Sequence, residues 1–480
     1  MRALGLLIVV LALFRAVALL TNGTELFVDE AQYWSWSLEP AFGYFSKPPL
    51  VAWMIAAATP ICGDGEACVR LPAMLANLAS AVVLYFIGRR LFDHKVGIWC
   101  AFTFATLPAV SLFSGVISTD APLLLAWSVA LLCFIDLLRS ERPSLGSAIG
   151  LGVAIGLGMN AKYAMGYFVL CAALFFVAVP AQRALLRRPH LWVALMIALL
   201  LLVPNVVWNA THGFATLSHT ASNANWTGTL FHPVRALEFF ASQLAVFGPV
   251  LFVAWLLVTM GAAKRARRLD ETDILLLAFS VPVVLILVVQ GLLSGANANW
   301  AITAYVSATV LVVSRLVSPA RIGWLRASAG VHFAIALLVA VGSWQAGNFV
   351  LPGGLDPFAR VLGSRDLAAE VRAEVEAGSY GSVLTTDRTS TAALLYYARD
   401  MTVPLYVWLD GKVPTNHFEM TRPFTAQSQM QTLLVSRNED VARITGQFSN
   451  VKALGERQIP VGRFSTRRVF LYALSGFLGN

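Results

Sequence analysis

Long apolar segments recur along the chain from its first residues to about residue 346, and they constrain the fold more than any other feature. A helix needs about 20 mostly apolar residues to cross a hydrocarbon layer of roughly 30 Å. The composition agrees, since 58% of the residues are hydrophobic and 13% are charged, against roughly 45–50% and 25% in an ordinary soluble protein. The sequence therefore predicts a polytopic α-helical membrane protein with about eleven crossings. The predicted spans are an N-terminal segment ending near residue 20 and segments at about 70–88, 96–116, 121–138, 145–159, 163–180, 190–209, 239–260, 273–293, 300–317 and 327–346.

Basic residues are grouped in alternate loops between these segments. The formal net charge of +9 could suggest a nucleic-acid partner, but the positive-inside rule explains the grouping as cytoplasmic loops. We therefore expect no nucleic-acid partner, and we expect the N-terminus inside and the C-terminal tail outside. The basic loops contain Arg89, Arg90 and Lys95; Arg139 and Arg142; Arg183, Arg187 and Arg188; Lys264, Arg265, Arg267 and Arg268; and Arg315, Arg321 and Arg326.

Two domains are predicted from the change in composition. Residues 1–348 form the membrane domain, which includes a long first outer loop at 21–69, and residues 349–480 form a small α/β domain on the outer face. This tail could cover a membrane site or help to hold an acceptor, and a purely structural role is equally open. Its predicted elements are Ser382–Thr386, Ser390–Arg399, Val403–Trp408, Gln431–Ser436, Glu439–Gln447 and Arg468–Ala473.

The first outer loop carries the most unusual group of residues in the chain. It combines the adjacent carboxylates Asp29 and Glu30 with a lysine, Lys47, on the stiff turn Pro48-Pro49. Acids near a membrane surface are often only solvated loop residues, but here aromatic rings surround them. These rings suit stacking on a sugar or lining an interface; they belong to Tyr33, Trp34, Trp36, Tyr44 and Phe45.

Four further candidate residues fall in later loops on the same predicted side. Asp120 could be a second acid or could cap a helix, with Pro122 just inside it. Lys162 could contact a phosphate or could snorkel to lipid head groups. His212 could contact a phosphate or a metal, although an ordinary loop histidine is the simpler interpretation. Asn299 lies in the polar loop Ala296-Asn297-Ala298-Asn299-Trp300.

These residue types suit group transfer from a phosphate-linked donor. A carboxylate in a partly dry site can act as a general base toward a hydroxyl, while lysines stabilise the charge on a departing phosphate. A transporter or flippase of a lipid-linked anion is the alternative, but transporters usually show internal repeats and a midplane site. A non-catalytic membrane scaffold is the third hypothesis, and it leaves the joint placement of Asp29 and Lys47 unexplained.

Metal and redox chemistry remain open at this point. No cofactor is predicted with certainty, but Asp29, Glu30 and Asp120 could hold Mg²⁺ or Mn²⁺ through oxygen ligands. Cys62 and Cys68 flank a polar turn in the first outer loop, where a local disulfide and two free thiols are both open.

Several motifs, in this order, resemble the bacterial polyprenyl-phosphate-sugar-dependent glycosyltransferases of the GT-C fold. That group includes relatives of the protein O-mannosyltransferases, the aminoarabinose lipid A transferases and the lipopolysaccharide galacturonosyltransferases. The resemblance implies an inverting, multi-pass enzyme of the bacterial inner membrane whose periplasmic side takes a polyprenyl-phosphate sugar and a lipid A, other envelope glycan or protein acceptor. The motifs are Asp29-Glu30-Ala31-Gln32-Tyr33-Trp34, Gly43-Tyr44-Phe45-Ser46-Lys47-Pro48-Pro49-Leu50, Ser118-Thr119-Asp120-Ala121-Pro122, Lys162, Asn205-Val206-Val207-Trp208-Asn209 with His212-Gly213-Phe214, and Ala296–Trp300.

The resemblance also implies roles for individual residues. Asp29 resembles the catalytic acid of the first outer loop, Lys47 and Lys162 resemble donor-phosphate contacts, and Asp120 resembles the second acidic position. The aminoarabinose transferases carry a glutamate immediately before the lysine, whereas this chain has Ser46. A pocket with two lysines and fewer acids would tolerate an anionic sugar such as a uronic acid.

Overall fold

The computed structural model describes residues 2–141, 144–265, 268–351, 356–411, 413–425 and 431–479, with side chains from residue 4 onward. Two of the basic loop positions, Arg142 and Arg267, lie outside the described residues. The chain divides into two compact units. The helical unit contains Met1–Leu20, Lys47–Met54 and Arg70–Val339, and the sheet unit contains Thr21–Ser46, Ile55–Val69 and Ala340–Asn480.

Helices make up most of the described chain, as the apolar segments predict. In chain order they are α1 Arg2–Leu20, α2 Val28–Ser37, α3 Leu50–Cys62, α4 Glu66–Leu91, α5 His94–Thr106, α6 Pro108–Leu112, α7 Asp120–Arg139, α8 Leu145–Ala161, α9 Gly166–Ala178, α10 Pro189–Thr211, α11 Ala215–Ser222, α12 Pro233–Val246, α13 Pro249–Lys264, α14 Glu271–Ala278, α15 Val281–Leu293, α16 Ala304–Leu316, α17 Ile322–Trp344, α18 Ser364–Ala377, α19 Arg388–Tyr397, α20 His417–Thr421 and α21 Ala442–Thr445. Short 3₁₀ turns lie at Tyr163–Met165, Pro180–Arg187, Ala298–Ala301 and Ala359–Val361.

Five stretches of the described chain are long and apolar enough to cross a membrane, or six if the bent pair α12 and α13 forms one span. This pair includes the predicted span at about 239–260, and it bends by 116°, where Gly248 adopts a φ of 89° immediately before Pro249. Five further apolar helices are shorter than a straight crossing requires. The five stretches are Glu66–Leu91, Asp120–Arg139, Pro189–Thr211, Glu271–Leu293 and Ile322–Trp344.

The core of the helical unit is built around α7 and α16, which are buried along most of their length. Aromatic side chains interlock around Trp127 and Phe134 of α7: the Phe168 ring lies 5.3 Å and 6.2 Å from them, and the Phe279 ring lies 6.3 Å and 5.8 Å from them. Offset and edge-on ring pairs of this kind add to the energy of simple burial. The core therefore holds the N-terminal end of α7, where Asp120 lies, on a tightly packed helix.

Helix α8 packs against α10 through glycines. A Cβ atom on Gly152 would lie 2.5 Å from the backbone oxygen of Ala194, and one on Gly156 would lie 2.7 Å from Cβ of Leu201. Small residues at a four-residue spacing let two membrane helices approach closely. This close packing fixes the position of the C-terminal end of α8 relative to α10. Lys162 is the next residue after α8.

We expect Gly152→Ala to destabilise the protein by about 1–3 kcal/mol, because the added methyl meets backbone that cannot move independently of α10. Gly166→Ala is the matched control, since a Cβ atom there meets nothing within 4 Å and alanine favours a helix over glycine. Thermal unfolding of the purified protein, followed by helical circular dichroism, should show a lower midpoint for the first variant only. Equal midpoints would show that the close approach of α8 and α10 is not needed for stability.

The sheet unit contains a five-stranded sheet in the order β2-β1-β3-β5-β4. Strands β1, β2 and β3 are mutually parallel, and the long hairpin of β4 and β5 is antiparallel. The strands are β1 Ser382–Thr385, β2 Leu405–Val407, β3 Thr432–Ser436, β4 Phe448–Pro460 and β5 Thr466–Phe477. Alternate residues of β1 and β3 enter two hydrophobic clusters, with Val383 and Leu433 in one and Leu384 and Leu434 in the other. Both faces of the central strands are therefore buried.

Most of the first outer loop, predicted at 21–69, belongs to the sheet unit. Helix α2 packs on α19, and the backbone N–H of Leu26 donates to the Tyr397 hydroxyl at 2.6 Å. That hydroxyl in turn donates to Glu66 Oε1 at 2.6 Å. Cys62 and Cys68 form a disulfide with a Cα–Cα distance of 5.7 Å, which settles the open question about their pairing.

Candidate functional site

The helical unit brings three of the predicted site residues into direct contact. Lys162 Nζ lies 2.7 Å from Asp120 Oδ1, and Asn299 Nδ2 donates to Asp120 Oδ2 at 2.7 Å. The Asp120 side chain is 4% exposed and that of Lys162 is 20% exposed, so the ion pair is largely shielded from water. We call these three residues the Asp120 cluster.

Asp120 was predicted to act as a second acid, as a helix cap, or as both. Asp120 is the first residue of α7, Thr119 is the N-cap, and no side-chain cap hydrogen bond is formed there. Both carboxylate oxygens instead meet the side chains of Lys162 and Asn299, and the positive end of the helix dipole also favours a negative charge here. Both carboxylate oxygens of Asp120 are therefore engaged by side chains from other elements.

Lys162 is held in position by amide side chains that fasten the end of α8 to α10. Asn160 Nδ2 donates to the carbonyl oxygens of Gly156 and Leu201 at 2.9 and 3.0 Å. The Tyr163 hydroxyl donates to Asn205 Oδ1 at 2.7 Å, and Asn209 Nδ2 reaches the same hydroxyl at 3.2 Å. The residues that flank Lys162 are therefore fixed on both sides, and Lys162 itself forms an ion pair with Asp120.

Asn299 is positioned by a second polar chain. It lies in the 3₁₀ turn Ala298–Ala301, whose first carbonyl accepts a hydrogen bond from Gln243 Nε2 at 3.2 Å. The Tyr305 hydroxyl of α16 donates to Gln243 Oε1 at 2.8 Å. Gln243 and Tyr305 are both fully buried, so this chain ties the Asn299 turn to the core.

The sheet unit holds the other predicted catalytic residue, Asp29, in the first turn of α2. Asp29 Oδ1 forms an ion pair with Arg388 Nη2, and Arg388 Nε donates to Gln32 Oε1. The Asp29 and Arg388 side chains are 41% and 36% exposed, so the pair borders solvent. Asp387 fixes the direction of Arg388 by capping α19, since its Oδ1 accepts from the backbone N–H groups of Thr389 and Ser390 at 2.9 Å each.

Glu30, Tyr33 and Tyr44 were predicted to bind substrate, but the structure buries all three within the sheet unit. Glu30 Oε2 accepts from the backbone N–H of Phe27 at 2.9 Å and so satisfies the start of α2. The Tyr33 ring packs on Trp36 at 5.2 Å, and the Tyr44 ring stacks on Trp36 at 4.4 Å. In the structure these three residues are exposed by 3% or less, and the contacts described here lie within the sheet unit.

Burial also shifts the pKa values of two groups in the aromatic cluster formed by Tyr33, Trp36, Tyr44 and His417. It raises the pKa of Tyr44 to about 12, so its hydroxyl keeps its proton and donates to the Trp36 carbonyl at 2.9 Å. Burial, together with the charge of Arg422, lowers the pKa of His417 to about 3. The neutral His417 ring lies against Trp36 and Tyr44 at 5.2 and 5.7 Å. The cluster is therefore uncharged at neutral pH.

Lys47 and His212, two further predicted contacts, both lie in the helical unit. Lys47 is partly buried just before α3. His212 lies at the C-terminal end of α10, where its ring stacks on Trp208 at 4.1 Å and its Nδ1 lies 2.8 Å from the Trp208 carbonyl oxygen. The contacts of His212 are those of a residue that ends a helix.

The predicted carboxylates do not fit a resident divalent cation. Asp29 pairs with an arginine, Glu30 accepts from a backbone N–H, and both oxygens of Asp120 meet nitrogen donors. Within the described residues, no group of three or more His, Cys, Asp or Glu side chains could hold a metal ion. Magnesium and manganese prefer several converging oxygen ligands, so we assign no step to a metal.

Sequence reasoning missed Arg388 and Gln32 as members of the site. Gln32 lies in the first quoted motif, three residues after Asp29, where a helical spacing could have drawn attention to it. Arg388 lies 359 residues from its partner Asp29, and a single arginine at the start of a helix in the tail carries no local signal.

Comparisons with known proteins give similarity over nearly the whole chain. A family described as dolichyl-phosphate-mannose-protein mannosyltransferase matches residues 46–208. The lipid A galacturonosyltransferase RgtD of Rhizobium johnstonii is 34% identical over 417 residues, which are 86% of this chain and 87% of that protein. The undecaprenyl phosphate-alpha-4-amino-4-deoxy-L-arabinose arabinosyl transferase 1 of Pseudomonas fluorescens is 27% identical over 309 residues, 58% of this chain and 54% of that protein.

Among solved structures, ArnT from Cupriavidus metallidurans bound to undecaprenyl phosphate has a similar fold. The TM-score is 0.69 at 14% sequence identity, and the match covers 97% of both chains. At this identity the likeness concerns the fold alone.

Proposed function

We propose the reaction from one premise: the chain belongs to the GT-C family of membrane glycosyltransferases that use polyprenyl-phosphate sugars. Within that family, we propose that it transfers a galacturonic acid residue from a polyprenyl-phosphate donor to lipid A on the periplasmic side of a bacterial inner membrane. The observation that carries this proposal is the 34% identity to a lipid A galacturonosyltransferase over most of both chains. The serine at position 46 also supports a donor other than aminoarabinose.

The proposed chemical step is a single displacement. The oxygen of an acceptor hydroxyl attacks the anomeric carbon of the donor, and its proton passes to the Asp29 carboxylate. The anomeric C–O bond to phosphate breaks, so polyprenyl phosphate leaves and the configuration inverts. A carboxylate that borders solvent, as Asp29 does, suits a general base that must meet an incoming hydroxyl.

The lysines are proposed to stabilise the departing phosphate. Lys162 suits this role because its ammonium group is paired with Asp120 and the residues that flank Lys162 are held by hydrogen bonds. A charge that is in position before the reaction requires little reorganisation during it. Lys47, on the turn Pro48-Pro49, is proposed as the second phosphate contact. Asp120 acts through Lys162 and is a positioning residue.

The topology is proposed from the charge pattern and from the apolar helices that are too short for a straight crossing. We propose that α1, α5, α8, α9 and α16 also cross the membrane and that α12 and α13 together form one crossing, which gives about eleven crossings in total, with the N-terminus in the cytoplasm and the sheet unit in the periplasm. Reporter fusions at the loop after α7 and at the C-terminus should give cytoplasmic and periplasmic signals respectively.

Mass spectrometry of lipid A from cells with and without the gene tests the proposed function. We expect the species that carries one hexuronic acid to disappear on deletion and to return with the wild-type gene but not with the Asp29→Asn variant. If the species lost on deletion carries a hexose or an aminopentose instead, the transferred sugar is that one and not galacturonic acid. An unchanged profile of envelope glycolipids would contradict the proposed function.

A further inference from the structure

The side chain of Arg388 has more hydrogen-bonding capacity than its observed contacts use. Its Nη2 pairs with Asp29 and its Nε donates to Gln32, so one edge of the guanidinium is occupied. A guanidinium has five N–H groups in a fixed planar fork. Within the part of the chain that the structure describes, the hydrogen bonds of the Arg388 side chain use Nε and Nη2, and none uses Nη1. The end of the fork formed by Nη1 and Nη2 is therefore available to a planar anion.

Exposure and rigidity support the same interpretation. The Arg388 side chain is 36% exposed, so it borders solvent. Its base is fixed at the first position of α19 by the Asp387 cap, and its occupied edge is fixed by Gln32 and Asp29. A positioned guanidinium loses little conformational freedom when it binds a carboxylate, and it can bind both carboxylate oxygens at once.

The charge beside Asp29 distinguishes between classes of sugar. A cationic amino sugar at the free end of the fork would meet a like charge, and a neutral sugar would offer that end no charged acceptor beyond Asp29. A uronic acid carries a planar carboxylate that matches the end of the fork. A site that is built to bind such a group discriminates strongly against a substrate that lacks it.

We propose that Arg388 binds the carboxylate of a uronic acid on the sugar donor and thereby determines donor specificity. This inference rests on the proposed function, because it assumes that Asp29 lies at the reacting sugar. It adds a residue of the C-terminal segment to substrate recognition, which gives the tail a role in selecting the donor beyond a purely structural one.

The test compares two donors that differ only in the carboxylate. Purified full-length protein is assayed with lipid A and either polyprenyl-phosphate galacturonic acid or polyprenyl-phosphate galactose. We expect Arg388→Gln to lower the ratio of kcat/KM for the uronic acid donor to that for the galactose donor by about 10- to 100-fold, mainly through KM. Arg388→Lys should give an intermediate ratio, because it keeps the charge and loses the fork. If the wild type does not turn over galactose, the inhibition constant of that donor serves as the comparator.

Arg372→Gln is the matched control. Arg372 also pairs with a carboxylate of the sheet unit, Asp400, at 2.7 Å, and its side chain has a similar exposure of 35%. This variant should leave the donor ratio unchanged. An equal loss with both donors in Arg388→Gln would mean that Arg388 only positions Asp29 or contacts a phosphate, and would overturn the inference. If the wild type transfers neither sugar, the proposed function fails, and the inference fails with it.

Discussion

Asp29→Asn is expected to lower the rate of sugar transfer by about 10²- to 10⁴-fold, the range found when a general base is removed. Asparagine keeps the shape of the side chain and can still accept a hydrogen bond from Arg388, but it cannot take the proton of the acceptor hydroxyl. The ion pair with Arg388 borders solvent, and such pairs contribute about 0–1 kcal/mol to stability. The variant should therefore insert and fold normally, which thermal unfolding of the purified protein can check.

Glu39→Gln is the matched control for this variant. Glu39 follows α2, lies in the same segment of the sheet unit, and pairs with Arg422 at 3.3 Å with 76% of its side chain exposed. Removing this carboxylate also breaks an arginine pair, but it should change the transfer rate by less than about twofold, since exposed pairs contribute little. Near-normal turnover by Asp29→Asn, with the control equally active, would remove Asp29 from the proposed mechanism.

The helical elements could be predicted from the sequence better than their interruptions. Hydropathy identifies apolar segments because burying apolar side chains in lipid depends on their composition and length. Hydropathy does not detect a change of direction, and the segment at 239–260 contains one at Gly248 and Pro249. The Gly-Pro dipeptide is visible in the sequence and indicates such a break. Proline cannot continue a helix from its interior, but it is favoured at the first position of a new one.

The tail shows a different limit. Strand β3 was predicted within one residue of its observed bounds, because Leu433, Leu434 and Val435 form a short apolar run. Strand β4 was missed because it is mostly exposed along its length and carries charged side chains, as edge strands often do. Helix α18 was also missed, although Leu367, Val371 and Val375 repeat at the helical spacing of four residues.

The candidate site could be predicted as a set of residues but not as contacts. Asp120, Lys162 and Asn299 were each identified from their loops, yet nothing local in the sequence pairs Lys162 with Asp120, 42 positions apart. The aromatic residues Tyr33 and Tyr44 suited stacking on a sugar or lining an interface, and in the fold both are buried. Aromatic side chains serve both purposes, and only the tertiary structure separates them.

The ion pair of the Asp120 cluster allows stability and catalysis to be separated. Lys162→Met is expected to destabilise the protein by about 3 kcal/mol, because it leaves the buried Asp120 carboxylate without its cation. It should also lower transfer by about 10²-fold or more, if the ammonium group stabilises the departing phosphate. The first effect alone could explain a loss of activity in cells, so the single variant cannot decide the role of Lys162.

The double variant Asp120→Asn/Lys162→Met separates the contribution of Lys162 to stability from its contribution to transfer. Removing both charges eliminates the unpaired carboxylate, and asparagine can still accept the hydrogen bond from Asn299 that Asp120 Oδ2 accepts at 2.7 Å in the wild type. Replacing a buried ion pair by uncharged residues of similar volume is often neutral for stability. The unfolding midpoint of the double variant should therefore return close to that of the wild type. Transfer by the purified double variant should stay about 10²-fold reduced. Recovery of activity together with stability would show that Lys162 serves only to neutralise Asp120, and the departing phosphate would then need another cation.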